Sequence, residues 1–171
     1  MIDSIILDIG NVLTSFRWED YLKGCGYDEE TVRRVGNATV RSGMWPEWDR
    51  AVIPEEEFIR KCVEKDPGME KEILDFFEHD DDWVWEYDYA VDFVKQLKAN
   101  GYKVYLLSNY SRSGFSYVEK NFKFHKYVDG EVISCKVGHI KPEPEIYEDL
   151  IRKYDIDPKK AVFIDDMQVN L

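Results

Sequence analysis

Three apolar runs of this chain end in polar side chains that could do chemistry. "SIIL" is followed by Asp8, "VYLL" by Ser108 and Asn109, and "AVFI" by Asp165 and Asp166. Between the last two, Lys141-Pro142 stands just ahead of a helical pattern. In open parallel sheets, ligands bind outside the carboxyl ends of the strands, and all these groups fall at or between such ends. Each alone has a plainer reading: a turn, a solvated helix entry, a solvated loop. Together, in this order, they point to one site. Carboxylates converging on a point repel each other and call for a cation, and oxygen-only ligands with room for water suit Mg²⁺. A hydroxyl and a Lys suit phosphate oxygens. An Asp, ionised at neutral pH, can attack phosphorus without a general base and give an aspartyl-phosphate. The cation and the Lys would offset repulsion between nucleophile and phosphate, most of what phosphoryl transfer requires.

The elements that would position these groups follow from periodicity. Ile2 to Leu7 reads as the first strand. Helices are expected from Arg17 to about Gly24, and from Asp28, an N-cap with Glu29 and Glu30 in the first turn. A Trp-rich link after Gly43 leads to "IPEEEFIRKCVEK", a helix with Pro54 at its first position and Phe58, Ile59 and Cys62 on one face. "MEKEILDFFEHD" reads as a helix with Ile73, Leu74 and Phe77 inward. From about residue 86 the pattern alternates helix and strand: a helix stopped at Gly101, a strand Lys103 to Leu107, helical "SGFSYVEKNF", the short strand "GEVIS", a helix with Ile146, Leu150 and Ile151 on one face, and "KKAVFIDD". Such alternation predicts βαβ units and a parallel sheet. The expected fold is therefore α/β: a Rossmann-like parallel core with helices on both faces, residues 1–15 and 86–171, interrupted after its first strand by a small helical cap, residues 16–85.

Composition narrows the partners. With 171 residues, 44% of them hydrophobic, the chain can bury a real core. A formal charge of −12, from 35 acidic and 23 basic side chains, argues against nucleic acid and anionic membrane surfaces. It leaves room for a small anionic substrate, because a local cation or Lys can reverse the field in a pocket. No apolar run approaches the ~18 residues of a membrane span. "MIDSIILD" looks like a core strand rather than a secretory signal. Cys25, Cys62 and Cys135 are odd in number and far apart, which predicts buried or half-buried thiols in a reducing cytoplasm.

The four signatures "LDIGNVL", "LLSN", "GHIKPEPEIY" and "VFIDD" resemble the motifs of the haloacid dehalogenase-like hydrolase superfamily, and the resemblance covers essentially the whole chain. It implies Asp8 as nucleophile and metal ligand, Gly10 lending a backbone carbonyl to the metal, Ser108 with Asn109 binding the transferring phosphoryl, and Lys141 stabilising nucleophile and phosphate. It implies Asp166 as the direct metal ligand, with Asp165 in support and Asn170 near the metal shell. The cofactor implied is Mg²⁺ and the partner a small phosphorylated metabolite; a monomer or weak dimer is expected.

Gly10 departs from the pattern. Most phosphatases of the superfamily carry Asp there as acid and then base, whereas "DIGNV" resembles a sugar-phosphatase-like sub-group with Gly-Asn after the nucleophile. Losing an acid/base group costs ~10²–10⁴-fold on steps that need it, so a preference for good leaving groups such as anomeric, acyl or aryl phosphates is expected. His139 is a weak substitute acid. The cap aromatics Trp45, Trp48, Trp83, Trp85, Tyr87 and Tyr89 read first as packing and second as a sugar-stacking platform. Arg17 could face substrate or solvent, and "EHDDDW" reads as a solvated turn. Family members of this type continue with a helix and another strand past the last motif, so a parent product longer than Leu171 is expected. The alternatives are a haloacid dehalogenase, disfavoured by the paired acids and by Gly10, and a non-catalytic binding module on the same scaffold.

Overall fold

A computed structural model describes residues 1–79 and 82–171. Four parallel strands, β1 (Ser4–Leu7), β2 (Lys103–Ser108), β3 (Gly130–Ile133) and β4 (Ala161–Ile164), lie in the order β3-β2-β1-β4. The period-2 alternation of the strands divides the interior into two cores. Ile5, Leu7, Val104, Leu106 and Ile133 face one way, toward α6 (Ala90–Ala99) and α7 (Arg112–Asn121). Ile6, Tyr105, Leu107 and Val132 face the other, toward Ile146 and Leu150 of α9 (Pro144–Tyr154). The expected Rossmann-like sheet with helices on both faces is what forms. β4 pairs only with β1 among the described residues, and its Val162 and Ile164 are exposed.

Between β1 and α6 the described residues make five α-helices: α1 (Trp18–Gly24), α2 (Glu29–Ala38), α3 (Trp45–Asp49), α4 (Glu55–Lys65) and α5 (Glu70–Glu78). The outgoing and returning segments run side by side. Ser15 N donates to Trp85 O at 2.8 Å, Arg17 N to Trp83 O at 3.0 Å and Tyr87 N to Leu13 O at 3.0 Å, while the buried Ser15 hydroxyl accepts from Trp85 N. An aromatic cluster fills the helical segment. Trp48 stacks on Phe58 with centroids 4.8 Å apart, Phe76 on Trp83 at 5.0 Å, and Trp45 meets Trp48 edge-on at 4.7 Å.

Several local expectations shift. The Trp-rich link contains a helix, α3. Pro46 sits in its first turn, where a missing N–H costs nothing, and burial of Trp48 holds it. Pro54 caps α4 in an extended conformation rather than opening it. In α5 the inward residues are Ile73 and Phe76, with Phe77 half-buried. Leu74 turns outward because the buried stripe steps by three. Ile2 is exposed and pairing begins at Ser4. Asp28 does cap α2, its carboxylate accepting from Thr31 N at 2.8 Å. The three cysteines are free; Cys62 and Cys135 are buried, but Cys25 is exposed. Burial pushes the Cys62 thiol up to about 12, which makes it an inert packing group. Among the described residues no helix is long and apolar enough to cross a membrane.

Candidate active site

Parallel pairing brings the strand tips to one edge of the sheet. Leu7 pairs with Leu106 on one side and Ile164 on the other, so the next residues, Asp8 and Asp165, stand level and Ser108 stands beside them. Three donors meet on Asp8 Oδ1: its neighbour Ile9 N at 2.8 Å, Ser108 Oγ at 2.6 Å and Lys141 Nζ at 2.9 Å. Lys141 also reaches Asp165 Oδ2 at 2.5 Å, and its side chain is 2% exposed. Such a charge is stable in the interior only because two carboxylates receive it. Burial raises the Asp8 carboxyl above the ordinary carboxylate range, against the pull of Lys141 and Ser108. A cation brought to this oxygen cluster would lower it again.

The Lys141 main chain is itself held. Asn109 accepts from Lys141 N at 2.8 Å and donates to Lys141 O at 3.0 Å. Asn109, expected beside the phosphoryl group, lines the cavity, and its side-chain amide fixes the Lys141 loop against the end of β2. Asp165 is spoken for on both oxygens, since Oδ1 accepts from Met167 N at 2.8 Å and Asn170 Nδ2 at 2.9 Å. Asp166 is exposed and accepts from Asn11 Nδ2 at 3.0 Å. Carboxylate oxygens of Asp8, Asp165 and Asp166 lie within 4.8 Å of one another. This all-oxygen set, with Gly10 lining the same cavity, fits a hard divalent cation. A second cluster, Glu119, His125 and Glu131, is already neutralised by Lys136, whose Nζ lies 2.9 Å from Glu119 and 2.6 Å from Glu131.

Above this floor opens a cavity of about 260 Å³. Asp8, Ser108, Lys141 and Asp166 line its polar end, and the start of α7, Ser111 and Gly114, lines a side. Phe16, Trp45, Trp48 and Trp83 from the helical segment supply an aromatic wall, so these residues serve both packing and lining. Asp49 of α3 lines it as well. Two contacts dock α3 onto the sheet side. Ser134 Oγ, just past β3, donates to Asp49 O at 2.7 Å. Arg50 grips Glu143 with two parallel hydrogen bonds, one at 2.6 Å, and holds that carboxyl down at about 2. Asp49, Ser134 and the Arg50–Glu143 pair are absent from the sequence reading. The one local signal was an acid directly after a Trp that must be buried.

Other expected candidates lie elsewhere. His139 Nδ1 is 3.0 Å from Asp149 on α9 and does not line the cavity. Arg17 is exposed and pairs with Asp20. Of the run "EHDDDW", Asp80 and Asp81 lie outside the described residues.

Comparison with known proteins bears on the fold and the family. A haloacid dehalogenase family enzyme from Bacteroides thetaiotaomicron superposes with a TM-score of 0.75 at 26% identity, over 99% of this chain and 86% of its own. The same enzyme in complex with magnesium and inorganic phosphate gives 0.74 at 25% identity, over 99% and 87%. Pyrophosphatase PpaX from Bacillus thuringiensis is 30% identical over 89 residues, 52% of this chain but only 41% of that protein's length. L-2-haloacid dehalogenase from Xanthobacter autotrophicus shares the fold at 13% identity and a TM-score of 0.64, over 95% of this chain and 69% of its own. Residues 2–169 match the family of haloacid dehalogenase-like hydrolases, and the chain belongs to it.

Proposed function

We propose that this protein is a Mg²⁺-dependent phosphatase that hydrolyses small phosphate monoesters through an aspartyl-phosphate on Asp8. The observation that carries the reading is Asp8 itself, a buried carboxylate at a strand tip whose Oδ1 receives Ser108 and Lys141 on the floor of a cavity. With Oδ1 pinned, Oδ2 is the oxygen that attacks phosphorus. Ser108 and Lys141 stand where the transferring phosphoryl oxygens would lie, and Ser111 and Gly114 at the start of α7 line the same space. Asp8, Asp166 and the Gly10 carbonyl would hold the cation, with Asp165 orienting Lys141. The bound ion supplies positive charge against the phosphate and lets the anions approach. The magnesium and phosphate complex of the Bacteroides enzyme supports this assignment.

The helical segment, residues 16–85, is the cap in this reading. It closes the cavity, excludes water from the aspartyl-phosphate and meets the leaving group with an aromatic wall. That wall, together with Gly10-Asn11 after the nucleophile, favours a leaving group with a flat apolar face, such as a sugar of the kind handled by the sub-group it resembles. Purified protein assayed against a panel of phosphate esters, with and without Mg²⁺, tests the function. Release that needs Mg²⁺ and disappears in Asp8→Asn is expected; release that survives the substitution contradicts it.

A further inference from the structure

The cavity holds one acid that the chemistry above leaves without a task. Asp49 ends α3, is 9% exposed, and lines the same space as Asp8, Ser108 and Lys141. Among the described residues its carboxyl forms no ion pair, unlike Asp8 and Asp165. Its backbone is anchored on both sides, by Ser134 on its own carbonyl and by Arg50 on Glu143, two residues past Lys141. A carboxyl left unpaired in a buried position costs stability, and a docking this firm holds it facing the reacting groups rather than solvent.

The reaction requires a proton here. As Asp8 attacks phosphorus, the bond to the ester oxygen breaks and its electron pair passes to that oxygen. An alkoxide departs slowly unless it is protonated as it leaves. Gly10 has no side chain to give. Asp8 is the nucleophile, Asp165 is committed on both oxygens, and Asp166 belongs to the cation. Asp49 is the acid that remains.

We infer that Asp49 is the catalytic acid and base of this site. Its carboxyl gives its proton to the leaving oxygen while Asp8 bonds to phosphorus, so the alcohol leaves neutral and Asp49 becomes a carboxylate. Water then attacks the aspartyl-phosphate, its proton passes to Asp49, the Asp8–phosphorus bond breaks, and the electron pair returns to Asp8. Ester and water are consumed, alcohol and phosphate formed, and both aspartates restored. The assignment rests on the phosphatase reading above.

The surroundings match the role. Burial, reinforced by the Asp8 charge and offset in part by Lys141, pushes Asp49 up to about 8. The Cys135 thiol faces it from α8 (Ser134–Val137), and Arg50 and Glu143 beside it neutralise each other. Asp49 therefore carries its proton at neutral pH, and its basicity near that pH suits both giving and taking it. The leaving-group penalty expected from Gly10 disappears on this account.

Two measurements in Mg²⁺ decide it. For the wild type across a series of aryl and alkyl phosphates, log kcat/KM should depend weakly on leaving-group pKa and fall for the alkyl esters as pH rises through the Asp49 titration. In Asp49→Asn, which is nearly isosteric and removes the transferable proton, kcat/KM for alkyl esters should fall ~10²–10⁴-fold while that for p-nitrophenyl phosphate falls less than ~10-fold. A steep leaving-group dependence in the wild type, or equal losses on both ester classes in the variant, would overturn the role of Asp49 and leave the phosphatase reading intact. No release from any ester by folded wild type would instead overturn that reading and this one with it.

Discussion

The sheet edge and the helical segment both bury acids in the same cavity, yet they handle them in opposite ways. At the sheet edge every buried charge is answered: Asp8 and Asp165 share Lys141, and Asn109 and Asn170 tie the loops that carry them. In the helical segment Asp49 is buried among aromatic rings with no counter-ion among the described residues. The first arrangement fixes its carboxylates with ion pairs and hydrogen bonds, as the proposed nucleophile and cation site require. The second keeps a carboxyl protonated. One cavity thus holds acids in two kinds of environment, one answered by a Lys and one not.

Breaking the sheet-edge side has the largest effect. Lys141→Met leaves Asp8 and Asp165 buried without their shared partner and should cost ~3–5 kcal/mol in urea unfolding at neutral pH. On the helical side, Trp48→Ala removes the ring that stacks on Phe58 and lines the cavity. A loss of ~3–5 kcal/mol by the same measurement is expected, together with a raised KM.

The contrast sharpens at Asp49. Its folded-state pKa lies above the ordinary value of 3.8, so the stability it contributes is complete below that value and lost as pH rises through about 8. Asp49→Asn escapes that loss. It should match the wild type near pH 4 and exceed it by several kcal/mol, up to ~5, at pH 9, read from urea midpoints. The smallest effect belongs to the contact joining the two regions. Arg50→Ala frees Glu143 and should cost about 1 kcal/mol, since the pair is partly exposed. Because Glu143 is held at about 2 in the folded state, the pair's contribution is present above the ordinary Glu range and is lost as pH falls toward 2.

The two regions also differ in how far the sequence reveals them. "SIIL" followed by Asp8 places element and chemistry within five residues, and the other strand ends repeat the device, so the sheet and its tip residues are legible together. Asn109 shows the limit of that reading. Its place beside Ser108 suggests phosphate, while its amide binds the Lys141 main chain, a distinction that only a contact across 32 residues makes. In the helical segment nothing local marks the site. The Trp-rich stretch after Gly43 reads as a link where α3 forms, and the buried stripe of α5 falls on Ile73 and Phe76 instead of Ile73, Leu74 and Phe77. Asp49 gains its meaning from Ser134 and Glu143, both far along the chain, which dock it beside Asp8.

The central claim is that Asp8 becomes covalently phosphorylated. Enzyme mixed with p-nitrophenyl phosphate and Mg²⁺, quenched in acid within the first turnover and digested, should yield a phosphoryl group on the peptide containing Asp8. Asp49→Asn should accumulate more of it, because the base that helps water attack is gone. Steady turnover with no phosphoryl on that peptide in either protein would contradict the account.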